Sequence, residues 1–313
     1  MKLTPYIGTK KANEIIKHVR ETSAGGKCFF IQVDISLIKN VDAACSEIIK
    51  KEGKINVLFL TAGYMTLKGR TETSEGIDRK MCVNYYARMR FTTNLMPQLM
   101  AASNANELSR VISVLAAGSE DDVRLEDLDL KEDYTLHKCL AHCVMMTDFM
   151  LEELSKAYPG TSFSHSYPGT VKSGLTSELT GPLRLAVKLL YAVVSPWILQ
   201  VLESGERHLF QITSSIYPAR NGNVGVPPAD NTIPVQKGMD GVTGSGSYLL
   251  DWDGRATGDA TLLSKYREKD FGTTVWNHTM DIFRKATTTK RSEAELQNGP
   301  AAQVRNPTGW RPA

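Results

Sequence analysis

Tyr134 and Lys138 stand four positions apart within residues 134–157, a stretch whose apolar spacing predicts one long helix. Residues four apart share a helical face. There an ammonium favours the phenolate and lowers a phenol pKa that is ordinarily near 10. Such a phenol can exchange a proton with a carbonyl or alcohol oxygen. The same spacing also describes an ordinary solvated helix surface, because it is common. His137, Cys139, His142 and Cys143 are zinc-ligand types in that helix. Only some of them share a face, no second cluster completes four ligands, and no metal is expected. Asp121, Asp122, Glu126, Asp127 and Asp129 lack the spacing of a calcium loop and read as solvated.

The elements that must position these groups follow from hydrophobic period. Short apolar runs predict buried parallel strands at residues 28–33 (CFFIQV, ending in Asp34), 55–60 (INVLFL, breaking at Ala62-Gly63) and 110–115 (RVISVL, stopping at Ala116-Ala117-Gly118). Two more are expected at 161–167, before Pro168-Gly169, and at 247–251. Helical spacing covers residues 10–21, 41–51, 76–102, 134–157 and 274–285. This alternation predicts an α/β fold, a Rossmann-like doubly wound parallel sheet covered on both faces. Residues 1–285 are expected to form one domain and 286–313 a solvated tail. Residues 183–202 are apolar, carry Arg184 and Lys188, and are broken by Pro196. They read as two helical pieces that either wall a lipophilic pocket or rest weakly on a membrane surface.

Composition narrows the function. The 313 residues hold 37 Lys plus Arg against 34 Asp plus Glu, a net charge of +3. That balance excludes nucleic acid as the main partner. Five cysteines without paired spacing point to a reducing, cytoplasmic setting. No run of about 20 uncharged apolar residues spans a membrane.

Taken in order, Asp34 after a strand, Ala62-Gly63 ending the next, Asn84 in the following helix, YTLHK at 134–138 and YPGTVKS at 167–173 resemble the short-chain dehydrogenase/reductase family over most of residues 5–285. SVLAAG, LEDLDLK and YLLDWDG are similar to its fungal secondary-metabolism members. The resemblance implies that Tyr134 is the acid/base, Lys138 its pKa modulator and a ribose contact, and Asn84 the holder of a relay water. It places Asp34 at the adenine, Ala62 and Gly63 along the cofactor cleft, and Val171 and Ser173 at the nicotinamide carboxamide. Thr9, Lys10 and Lys11 after TPYIG lean toward NADP, since basic residues there suit a 2′-phosphate, with a solvated helix start as the competing reading.

Three departures accompany the resemblance. The family's opening strand and its TGxxxGxG turn are not found, so the sheet is expected to be N-terminally truncated beside residues 55–60. Gly238, Gly241, Gly244 and Gly246 lie in a loop leading into a strand and do not replace that turn. Ala116 stands where the family carries a substrate-orienting Ser, and Leu60-Thr61-Ala62-Gly63 drops the Asn of NNAG. The expectation is therefore an NADP-dependent oxidoreductase interconverting a ketone and an alcohol on a hydrophobic small molecule, assembling as a homo-oligomer. The alternative is a degenerate member that binds a ligand or partner without hydride transfer.

Overall fold

The computed structural model describes residues 9–22, 27–171, 199–222 and 234–288. Its sheet consists of β1 (Val57–Leu60), β2 (Arg110–Val114), β3 (Ser162–Ser166) and β4 (Ser247–Leu250), all parallel and side by side in that order. Val57 lies opposite Arg110, Arg110 opposite Ser162, and Phe163 opposite Ser247. Parallel neighbours cannot be joined by a tight turn, so each connection crosses over and carries a helix. The helices are α1 (Thr9–Thr22), α2 (Ile38–Lys51), α3 (Arg79–Met81), a π-helical turn (Cys82–Tyr86), α4 (Ala87–Asn104), α5 (Leu136–Ala157), α6 (Val201–Thr213), α7 (Ala260–Glu268) and α8 (Phe271–Thr288).

Alternate strand residues point to opposite faces, and each face has its own helices. On one face Ser113 of β2 meets Arg88 of α4, and His165 of β3 meets Asp148 of α5. On the other, Arg110 reaches α6 and Ser166 bonds Gln211 there. Helices on both faces make this the doubly wound α/β fold that the alternating pattern implies. β2, β3 and β4 are buried throughout, whereas β1 is half-buried. The main core lies between the sheet, α5 and α8, with Phe149 and Tyr266 both edge-on to Phe271 at 5.0 Å. Asp42 ties α2 to α4 by accepting two hydrogen bonds from Arg90 (2.5 and 2.8 Å) and one from Asn94 (2.7 Å).

Three expectations are corrected. Residues 28–33 form no strand, and Phe29 and Phe30 are 44% and 39% exposed. Among the described residues no strand lies beyond β1, so this apolar run has no ladder to join. The helix expected from residue 76 begins at Arg79, because the Asp78 carboxylate accepts the Lys80 and Met81 N–H groups. The helix expected from Tyr134 begins at Leu136, with the Thr135 hydroxyl accepting the Lys138 N–H at 3.1 Å. Residues 4–8, 183–198 and those beyond Thr288 lie outside the described residues, and residues 286–288, expected in the tail, continue α8. Among the described residues, no helix is long and apolar enough to cross a membrane.

Candidate active site

In open parallel α/β sheets, ligands bind outside the carboxyl ends of the strands, where the strand order reverses. After β1 the chain passes through Ala62 and Gly63 to Tyr64. Asn84 clamps it there: its Oδ1 accepts the Tyr64 N–H at 2.9 Å and its Nδ2 donates to the Tyr64 carbonyl at 3.0 Å. Asn84 reaches that loop from the π turn, whose extra residue changes the direction of the side chains around it. Tyr85 and Tyr86, adjacent in sequence, are both fully buried and meet edge-on at 4.9 Å.

Arg88, one helical turn beyond Asn84, is 2% exposed. Its Nη2 donates to the Ala62 carbonyl at 2.6 Å, and its Nη1 donates to the Val114 carbonyl at 2.7 Å and Ser113 Oγ at 2.9 Å. The β1–β2 ladder ends at Leu60 and Ser113, so the guanidinium bridges the gap where the strands part. Burial lowers Arg88 to about 10, which leaves it a cation at neutral pH. Its Nε–H is buried and has no acceptor among the described residues.

On the far side of β2, Ala116 donates its N–H to His165 Nε2 at 3.1 Å, and His165 Nδ1 meets Asp148 Oδ1 at 2.5 Å. Both ionisable side chains are fully buried, and Asp148 Oδ2 has no partner. Burial pushes His165 down to about 3 and holds Asp148 well above the carboxylate range. The loop then turns at Gly118, whose φ of +87° suits glycine.

The structure does not bring Tyr134 and Lys138 together. Tyr134 precedes the Thr135 cap, so the two do not share a helical face. The Tyr134 ring packs against the main core under the Lys80 ammonium, 5.1 Å from the ring centre, and its buried hydroxyl has no oxygen or nitrogen partner among the described residues, only the neighbouring Cys139 thiol. Burial, and after it the neighbouring Cys139 thiol, raises the phenol above its ordinary value. Lys138 turns outward, 36% exposed at its side chain, to pair with Asp133. Lys80 is held by the Lys68 and Gly69 carbonyls at 3.1 and 2.8 Å and by Asp78 at 3.7 Å.

Asp34 sits at the entry to α2, where its Oδ1 accepts from Ser36 N and Oγ at 3.0 and 2.6 Å, and its Oδ2 lies 3.9 Å from Arg79. Val171 bridges to Leu199 after β3. Lys10 lies in the first turn of α1, and its side chain is outside the description, as is Ser173. Among the described residues no three His, Cys, Asp or Glu side chains are grouped to hold a metal. His137 meets Asp121 at the surface, and His142 accepts the Arg124 N–H at 3.2 Å.

This geometry can be set beside known proteins. A model of the short chain dehydrogenase family matches residues 6–121. Oxidoreductase AN1596 of Emericella nidulans is 39% identical over 280 residues, spanning 88% of this chain and 82% of its own. The chain belongs to the short-chain dehydrogenase/reductase family. Short-chain dehydrogenase/reductase SAT2 of Stachybotrys chartarum is 27% identical over 309 residues, 92% of this chain and 86% of its own. In fold, the chain is similar to a crystal structure of an uncharacterized protein from Mycobacterium Paratuberculosis, at TM-score 0.50 and 13% identity, covering 88% and 81% of the two chains.

Family members are oxidoreductases, and their fold calls for a nicotinamide cofactor at the crevice. The described residues fit part of one. A cavity of about 190 Å³ opens beside the end of β1, walled by Ile35, Leu60 and Phe91, with Thr61, Ala62 and Arg88 also lining it. Pockets that enclose a whole drug-sized ligand run to ~300–1,000 Å³, so this one suits a single lobe. Ala62 would lie along that lobe with Arg88 at its wall, and Gly63 follows in the chain. Sequence reasoning missed Arg88, His165 and Asp148. Their signals were a charge on the apolar face of a helix, and a histidine in a polar strand, SFSHS, that the topology buries.

Proposed function

We propose that the protein is an NADP-dependent oxidoreductase that interconverts a ketone and an alcohol on a hydrophobic small molecule of secondary metabolism, working in the cytoplasm. The observation that carries this reading is the cavity beside the end of β1, lined by Leu60, Thr61 and Ala62, with the loop that follows held by Asn84. When bound, the cofactor supplies or accepts the hydride. The chain's own residues supply the rest: Tyr134 moves the proton at the carbonyl oxygen, Lys138 tunes it, and Asn84 orders the relay. Asp34, Val171 and Ser173 are assigned to the two ends of the cofactor, and Lys10 to its 2′-phosphate. Tyr134 must first swing out from beneath Lys80, and Lys138 must release Asp133. Leaving the core exchanges the weak Cys139 thiol for a full hydrogen-bond partner, which offsets part of the ring's lost burial.

A second reading, ligand binding without hydride transfer, is favoured by the inward Tyr134 hydroxyl and by Ala116 in the serine position. Titrating NADPH into the protein, followed by cofactor fluorescence and then by NADPH oxidation with a panel of cyclic ketones, separates the two. Saturable binding with turnover is expected. Binding without turnover selects the second reading, and no binding at high micromolar NADPH sinks the first.

A further inference from the structure

Where β1 and β2 separate, the sheet hands its hydrogen bonding from backbone to side chains. Arg88 takes the Ala62 and Val114 carbonyls that would otherwise lose partners as the strands diverge. One residue on, the Leu115 N–H still bonds the Ser166 carbonyl at 2.8 Å, but the next amide, Ala116, donates to the His165 ring. β2 is thus wedged off β1 by a guanidinium and kept on β3 by an imidazole. Ser113, which receives Arg88, lies in register with His165, so the two devices sit side by side on one face.

We propose that Arg88, His165 and Asp148 are positioning residues that set the width of the crevice and the course of the Ala116–Ser119 loop, and thereby the bulk of ligand admitted there. This rests on the reading of the crevice as the ligand site. The chemistry is restrictive. His165 Nε2 accepts a backbone N–H, so the ring cannot carry a proton on that nitrogen, and its one proton must lie on Nδ1, directed at Asp148 Oδ1. Asp148 selects the tautomer, the tautomer fixes Nε2 as an acceptor, and the acceptor fixes Ala116. In a chain with no serine hydroxyl at 116, the placement of this loop falls to the ring beneath it.

The test uses the full chain and begins with the imidazole ¹⁵N shifts of His165 at neutral pH. The Nδ1–H tautomer is expected, and an Nε2–H tautomer or an imidazolium overturns the proposal. His165→Gln, which keeps an acceptor, is then compared with His165→Phe, which does not. Amide exchange at Ala116 should quicken at least tenfold in His165→Phe relative to Val111, and stay near wild type in His165→Gln. The KM for 2-decalone should rise about tenfold in His165→Phe, the size of one lost hydrogen bond, with kcat and NADPH affinity within twofold. Arg88→Met should raise the KM for 2-decalone as well. Unaltered Ala116 exchange in His165→Phe overturns the proposal. Failure of the functional reading looks different: wild type then does not oxidise NADPH, while the tautomer and the exchange rates still decide this question.

Discussion

Replacing Tyr134 with Phe removes a single oxygen atom, and the structure assigns that atom opposite effects on folding and on chemistry. The hydroxyl is buried and, among the described residues, has no oxygen or nitrogen partner; the Cys139 thiol beside it is a weak one. Leaving such a group unsatisfied costs about 1–3 kcal/mol, so Tyr134→Phe should raise stability by roughly 1–2 kcal/mol. The ring keeps its place in the core, and its face still receives Lys80 at 5.1 Å. At about 2–4 °C per kcal/mol for a large domain, the melting midpoint should climb by roughly 2–8 °C. Turnover should fall by about 10²–10⁴-fold, the usual contribution of a positioned acid. Urea unfolding with unchanged m, paired with NADPH oxidation against one ketone, reads both. A Phe variant less stable by more than about 1 kcal/mol would show that the hydroxyl has a partner in solution. A stabilised variant with undiminished turnover would assign the proton transfer to another group.

Other outcomes follow from the buried polar groups and the backbone. Arg110 closes the carboxyl end of α6, donating to the carbonyls of Gln211, Ile212, Ser214 and Tyr217 at 2.7–3.0 Å. Arg110→Met should cost about 3–5 kcal/mol, visible as a lower urea midpoint and faster amide exchange in α6. His165 stays neutral in the fold down to about pH 3, whereas the unfolded chain protonates it below about 6.5. Stability contributed by its neutrality is present above pH 6.5 and is lost as pH falls toward 3, by roughly 4 kcal/mol across the window. Asp148 opposes this, since the fold keeps its proton while the unfolded chain releases it above 3.8. Asp148→Asn should therefore steepen the loss of urea midpoint between pH 7 and pH 4.5, and a shallower loss would refute the assignment. Gly246 has φ +83°, and a Cβ there would lie 2.8 Å from the Arg220 backbone nitrogen. Gly246→Ala should cost about 1–3 kcal/mol in thermal unfolding, more than a relaxed surface glycine would.

Much of the frame was legible because each strand's apolar run ends at a residue that breaks it: Ala62-Gly63, Ala116-Ala117-Gly118 and Pro168-Gly169. The strands so marked, β1 to β3, were read to within about two residues at each end. β4, bounded by Gly246, was also found. Residues 28–33 were misread because an apolar run states only that a strand could form, while a ladder partner decides whether it does. The Tyr134–Lys138 pair was read as one face because four-residue spacing presupposes a helix already under way. Thr135, a good N-cap type, starts that helix one residue too late, and the two side chains part toward core and solvent. Arg88, His165 and Asp148 escaped because their meaning depends on which strands lie beside which. Nothing local to Arg88 announces Ala62 or Val114 as its partners.

The π turn at Cys82–Tyr86 has a mechanical consequence for the whole connection between β1 and β2. A regular helix advances about 100° per residue, and a turn that holds one residue too many rotates everything downstream by that increment. Arg88, Thr92, Leu95 and Leu99 occupy the buried side of α4 in the phase this rotation leaves. Excising a single residue from the turn would give a smoother helix and a worse protein. The loop clamp upstream and the guanidinium wedge downstream could no longer both face the sheet, so the crevice would close from whichever end lost its register.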